Sequence, residues 1–152
     1  MRRTVVLDSG PLGMVTNPGG GEPNAECRAW MEGLLARGYR VAVPEIADYE
    51  VRRELLRAGK FAGLARLDAL AAHPAATYLA LTTEAMRLAA EFWAEARREH
   101  RPGAGEAALD ADVILAAQAA LAGDGGDDVV VATTNTDHLA QFVPAQRWEN
   151  IR

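Results

Sequence analysis

Residues 107–122 read Ala-Ala-Leu-Asp-Ala-Asp-Val-Ile-Leu-Ala-Ala-Gln-Ala-Ala-Leu-Ala, which wound as a helix is apolar nearly all round. Such a helix has no face to offer water, so the fold must enclose it between other layers. Two short runs supply what a layered fold needs. Thr4-Val5-Val6-Leu7 and Val129-Val130-Val131-Ala132 are apolar and β-branched, and each stops abruptly at oxygen-bearing residues: Asp8-Ser9-Gly10 in the first case, Thr133-Thr134-Asn135-Thr136-Asp137 in the second. Buried strands that end in polar groups are how an open parallel α/β sheet brings ligand-binding residues to its carboxyl edge. Asp-Ser-Gly is equally at home in a surface turn, so the first run alone leaves turn and site both open.

Between these landmarks the chain alternates. Pro11 to Val15 suits a short helix. The stretch 17–24, with three glycines and two prolines among eight residues, matches no phosphate-binding fingerprint and reads as a flexible loop. Asn24 reads as the N-cap of a helix to about Ala36, closed by Gly38. Residues 40–43 form a second strand. Pro44 opens a helix from Glu45 to about Ala58, with Glu45 and Asp48 suited to its first turn. Its apolar stripe is Ala47, Val51, Leu55 and Ala58; Glu50 and Glu54 both flank it, and periodicity does not separate them. Arg52, Arg53, Arg57 and Lys60 lie alongside as a basic patch, readable as a solvated face with i,i+4 pairs or as a nucleic-acid contact. A helix over 61–72 ends at His73-Pro74. A third strand spans 77–81. Thr82 caps a long helix to about His100, where Arg97, Arg98, His100 and Arg101 complement the macrodipole. Loops at 101–106 and 123–127 flank the apolar helix, a turn of helix follows at 138–142, and a fifth strand is expected at 148–151. Strands alternating with helices imply a three-layer α/β fold with a parallel sheet of four to five strands.

Composition excludes several chemistries. Cys27 is the sole cysteine, so neither a disulfide framework nor a multi-cysteine zinc site is available. His73, His100 and His138 lack H-x-x-x-H spacing. Lys60 is the sole lysine and no G-x-x-x-x-G-K-[ST] occurs, which removes the P-loop. It also removes receiver domains, which need a lysine after a late strand. Aspartyl phosphatases of the haloacid-dehalogenase kind need a second Asp where Gly10 stands. A net charge of −5 argues against binding nucleic acid by bulk electrostatics, though not by local cations. No run is long and apolar enough to span a membrane. Met1-Arg2-Arg3 precedes too short an apolar run for a signal peptide. A cytoplasmic protein is the expectation.

Acids or amides then reach one sheet edge from three segments: Asp8, Asp110/Asp112 and Asn135/Asp137, with Glu45, Glu50 or Glu54 able to add another. Asp110 and Asp112 are about 200° apart around a helix, so they cannot share a target. A buried carboxylate needs a partner, and a bound cation is an effective one. Hard oxygen donors select Mg²⁺ or Mn²⁺, and the matching reaction is phosphodiester hydrolysis.

Four segments in order, Val5-Val6-Leu7-Asp8-Ser9, Glu50-Val51-Arg52-Arg53, Asp112 through Ala119, and Val131-Ala132-Thr133-Thr134-Asn135, resemble the PIN-domain family, and within it the VapC-type toxins of bacterial toxin–antitoxin pairs. The resemblance runs from residue 4 to the 142–151 tail and implies one PIN-like domain over 1–152. It implies a magnesium-dependent endoribonuclease, with Asp8 and Asp112 as metal-binding aspartates and Glu50, rather than Glu54, as the glutamate of the second motif. Asp112 is preferred to Asp110 because it directly precedes the apolar run; Asp110 would cap the helix. The fourth acidic position is Asn135, a departure that favours one metal over two, with Asp137 two residues on. Ser9 and Thr133 stand beside the acids, and Arg52 or Arg53 would steer phosphate. The implied partners are RNA, a second copy of the chain, and an antitoxin segment covering the acidic cleft. Two rival readings are a PIN fold kept as an RNA-binding module with weak or no catalysis, and a DNA- or structure-specific nuclease.

Overall fold

A computed structural model of the chain describes residues 3–19, 21–99, 106–123 and 128–152. The elements run β1 (Arg3–Leu7), α1 (Ser9–Thr16), α2 (Glu22–Ala36), β2 (Arg40–Pro44), α3 (Glu45–Arg57), α4 (Phe61–Ala71), β3 (Ala76–Leu79), α5 (Thr83–Arg98), α6 (Glu106–Ala122), β4 (Asp128–Thr133) and β5 (Ala145–Arg147). A single 3₁₀ turn, Trp148–Asn150, follows β5.

The five strands form one all-parallel sheet in the order β3-β2-β1-β4-β5, flanked by the helices. The chain builds outward from β1 through β2 to β3, then returns to the other side for β4 and β5. The direction of winding therefore reverses between β1 and β4. At such a reversal the loops leave the two strands on opposite sides and a crevice opens at their carboxyl ends. Pairing of Leu7 with Ala132 sets the two ends level, and Asp8 N–H continues the ladder one step by donating to Ala132 O at 3.0 Å.

The central strands are buried on both faces: Val5, Val6, Leu7, Val41, Ala42, Val43, Val131 and Ala132 have no more than trace exposure. This is the environment that a continuous β-branched run requires. The apolar helix is enclosed over its middle, from Val113 to Ala119, while Ala120 and Leu121 near its end are exposed. Leu115, Ala116 and Ala119 enter the main core, while Leu109, Val113 and Ala117 pack with Ala85 and Ala89 of α5. Alanines on both helices permit this close approach. Gln118, the one polar residue in the inner half of α6, is buried and bridges two elements. Its Oε1 accepts from Ile46 N–H in the first turn of α3 (3.2 Å), and its Nε2 donates to Leu79 O at the end of β3 (2.7 Å).

Three boundaries differ from the sequence reading. Helix α2 starts at Glu22 with Gly21 as N-cap, not after Asn24, because Pro23 fits the first turn, where no amide donor is needed. Strand β3 ends at Leu79 rather than at 81, since the Leu81 N–H is taken by Glu45 Oε1 at 2.7 Å. The last strand lies at Ala145–Arg147, and Trp148 turns inward instead of extending. Its ring packs 5.6 Å from that of Trp30, whose Nε1 donates to Ile151 O. Of the expected loops at 101–106 and 123–127, residues 101–105 and 124–127 lie outside the described residues, as do the cations His100 and Arg101, and Glu106 already belongs to α6.

Candidate active site

Asp8 occupies the crevice at the end of β1. It is the N-cap of α1 and its Oδ1 accepts from Ser9 N–H at 2.8 Å. Its Oδ2 accepts from Thr133 Oγ1 at 2.7 Å, across the switch point from the end of β4. Both oxygens are thus held by the two elements that flank the crevice, and the side chain remains partly exposed. Asp8 is thus the cap of a helix and, at the same time, a carboxylate held at the carboxyl end of the sheet.

Glu50 approaches from α3 with its side chain 23% exposed, whereas Glu54 is 60% exposed and paired to Arg57 at 2.8 Å. Burial raises the Glu50 carboxyl above the ordinary range; the negative charges of Asp8 and Asp112 raise it further, and Arg53 opposes them. Asp112 comes from α6, 20% exposed. Burial first, then the Asp8 charge, push it up to about 6, against the lowering effect of His138. The Asp8 charge therefore reaches carboxyls on two other elements, Glu50 of α3 and Asp112 of α6. Asp110, two positions earlier, is exposed, as the helical angle requires.

His138 was not singled out by sequence reasoning. Its Nδ1 lies 3.3 Å from Asp112 Oδ2. The oxygen-bearing stretch after β4 ends at Asp137 in the sequence, and a lone histidine without metal-ligand spacing gives no signal. Asp48 was likewise read only as a first-turn acid. It is buried, and it explains Arg52: the guanidinium binds Asp48 Oδ1 at 2.8 Å and Asp68 Oδ1 at 2.7 Å, and Tyr78 OH donates to Asp48 Oδ2 at 3.0 Å. Arg52 locks α3 to α4 and β3 instead of facing the acids. Arg53 is the arginine at the site, 4.0 Å from Glu50 and stacked over Tyr49.

Asn135 is exposed. Its N–H donates to Thr133 Oγ1 at 3.1 Å, and its Oδ1 accepts from Asp137 N–H at 3.1 Å. Its side-chain oxygen thus closes its own turn, and Asp137 is exposed beyond it. Ser9 contributes its backbone to Asp8 and lines a cleft of about 450 Å³ between α1 and α3, together with Gly13, Glu50, Arg53 and Lys60. Cys27 is no competing nucleophile: it is buried and its thiol is pushed up to about 12, chiefly by burial.

Among the described residues no three His, Cys, Asp or Glu side chains close on one point tightly enough to hold an ion by themselves. The donor set nonetheless suits a hydrated divalent cation. Asp112 Oδ2 is buried without a hydrogen-bond partner, with His138 Nδ1 3.3 Å away as its neighbouring base, and a carboxylate so placed is stabilised further by a bound positive charge. Mg²⁺ keeps several waters and takes one or two carboxylates, so two aspartates are sufficient.

No protein-family model matches the chain, and no curated protein does. Solved structures do. FitAcB from Neisseria gonorrhoeae matches with a TM-score of 0.68 at 18% identity, covering 97% of this chain and 99% of that one. VapBC2 from Rickettsia felis, bound to a DNA fragment from their promoter, gives 0.70 at 12% identity over 95% and 98%. VapC20 of Mycobacterium tuberculosis, a Sarcin-Ricin loop cleaving toxin, gives 0.64 at 17% identity over 91% and 96%. With its five-stranded parallel sheet and its acids gathered at the β1/β4 crevice, the chain has the PIN-like fold, shared with these structures over nearly its whole length.

Proposed function

We propose that the chain is a divalent-metal-dependent endoribonuclease acting as the toxin of a toxin–antitoxin pair. The observation that carries this reading is that Asp8, held at the sheet's switch point by Thr133, lies close enough for its charge to raise both Glu50 and Asp112. Asp8 and Asp112 would hold one Mg²⁺ or Mn²⁺. When bound, such an ion lowers the pKa of a coordinated water and neutralises charge on the phosphate.

The chain's own residues do the rest. Ser9 N–H and Thr133 Oγ1 fix both oxygens of Asp8, so that its carboxylate needs no reorganisation on loading. Glu50, raised by burial and by its acidic neighbours, is suited to take a proton from the attacking water, because a base is most effective when its pKa approaches the working pH. Arg53 sits where it can meet the phosphate beside Glu50. In a cytoplasmic setting the natural partners are an antitoxin covering the cleft and a second copy of the chain. The two-component name of VapBC2 is in line with the first of these.

The test is cleavage of RNA by the purified protein with Mg²⁺, with Mn²⁺ and with EDTA. Cleavage that needs the ion and disappears in both Asp8→Asn and Asp112→Asn supports the assignment; cleavage surviving either substitution refutes it. The second reading, an RNA-binding module without catalysis, draws on Asn135, whose oxygen is committed to its own turn. RNA binding without ion-dependent cleavage would favour that reading.

A further inference from the structure

The basic residues of α3 split into two sets. Arg52 is consumed by Asp48 and Asp68. Arg53, Arg57 and Lys60 instead line one wall of the cleft that begins at Ser9 beside Asp8, with Glu50 and Glu54 interleaved and Arg53 4.0 Å from Glu50. Arg53 and Arg57 are four residues, just over one helical turn, apart, about 6 Å along the axis. Lys60 continues the row in a fixed position. Helix α3 ends in a Schellman turn: Gly59 adopts φ +66°, its N–H donates to Leu56 O, and Lys60 N–H donates to Leu55 O at 2.9 Å. Lys60 makes no ion pair among the described residues, and Arg57 bonds only Glu54, in a pair exposed on both sides. Such a pair is worth little and yields readily to a phosphate. The facing wall, with Ser9, Gly10, Gly13 and Asn17, carries no charge.

We propose that this row tracks the backbone of a single RNA strand, leading it from the acids at Asp8 along α3 to Lys60. A one-sided row of cations matches one backbone; a duplex presents two. In a chain of net charge −5, binding must come from such local cations. The proposal rests on the endoribonuclease reading for the identity of the strand. It is tested separately from catalysis, in EDTA.

The experiment is fluorescence anisotropy of a labelled short single-stranded RNA with the whole protein, titrated across salt. Lys60→Gln, Arg57→Gln and the pair are compared with Arg66→Gln on α4 as control. Each lost phosphate contact on a single strand should flatten the log–log salt dependence by about 0.7, which is about 2.5-fold less affinity change between roughly 50 and 200 mM salt. The double substitution should show about twice that effect, and Arg66→Gln none. Unchanged slopes for Lys60→Gln and Arg57→Gln, an equal effect from Arg66→Gln, or tighter binding of a duplex would overturn the proposal. If slopes change as expected while wild type with Mg²⁺ or Mn²⁺ cleaves nothing, the path stands and the nuclease reading falls.

Discussion

Thr133 Oγ1 lies 2.7 Å from Asp8 Oδ2, joining the ends of two strands that are far apart in sequence but adjacent in the sheet. The hydroxyl also receives Asn135 N–H, so one side chain orients both the acid and the loop behind it. Thr133→Val keeps the shape and removes both interactions. It should cost about 1.5–3 kcal/mol, the range for a hydrogen bond to a charged group, and lower ion-dependent cleavage. Thr133→Ser should restore both. Thermal unfolding and initial cleavage rates check this.

Asp112 is held at about 6, above its unfolded value of 3.8. Between those limits the folded protein binds more protons than the unfolded chain, so stability from this group falls as pH rises from about 4 to 6. At neutral pH its buried charge opposes folding, on the order of 3 kcal/mol for a shift of about 2 units. Asp112→Asn should therefore raise the melting temperature at pH 7 without metal, more than at pH 4. Cleavage should be lost at the same time. Calorimetry at the two pH values tests the sign.

Among the described residues, His138 is the group whose charge lowers the Asp112 carboxyl. In His138→Ala that carboxyl should titrate higher than in wild type, which carbon-detected NMR of the metal-free protein would read directly. An unchanged titration would mean that the 3.3 Å contact carries no electrostatic coupling.

Arg52 is an anchor in this fold and not a phosphate ligand. Asp48 is buried beneath it and shared with Tyr78. Asp48→Ala leaves Arg52 and Tyr78 without their common acceptor and should destabilise by about 2–3 kcal/mol. Arg52→Gln should lower the denaturation midpoint yet leave the salt dependence of RNA binding unaltered. A flattened slope in Arg52→Gln would return Arg52 to the phosphate path.

The amino-acid sequence by itself determined the layers. β-branched runs at residues 4–7 and 129–132 can only be central parallel strands, and an Ala- and Leu-rich helix with no polar face can only be interior, because desolvation leaves no alternative. It also marked Asp8 and the pair Asp110/Asp112, since a carboxylate interrupting an apolar run stands out against its neighbours, while the choice within the pair came from the family resemblance. Tertiary structure decided what periodicity leaves degenerate. Glu50 and Glu54 flank the same stripe, and only the packing of α3 against α1 and α6 buries one and exposes the other. Arg52 and Arg53 are adjacent in the chain yet point about 100° apart on the helix, so one meets Asp48 and the other meets Glu50. His138 has no local signal at all; it reaches Asp112 because β4 lies beside β1 and its loop returns over the N-terminal half of α6. Side-chain pattern fixes which residues are inside, whereas which acid meets which base depends on strand order, and strand order is settled only when the sheet assembles.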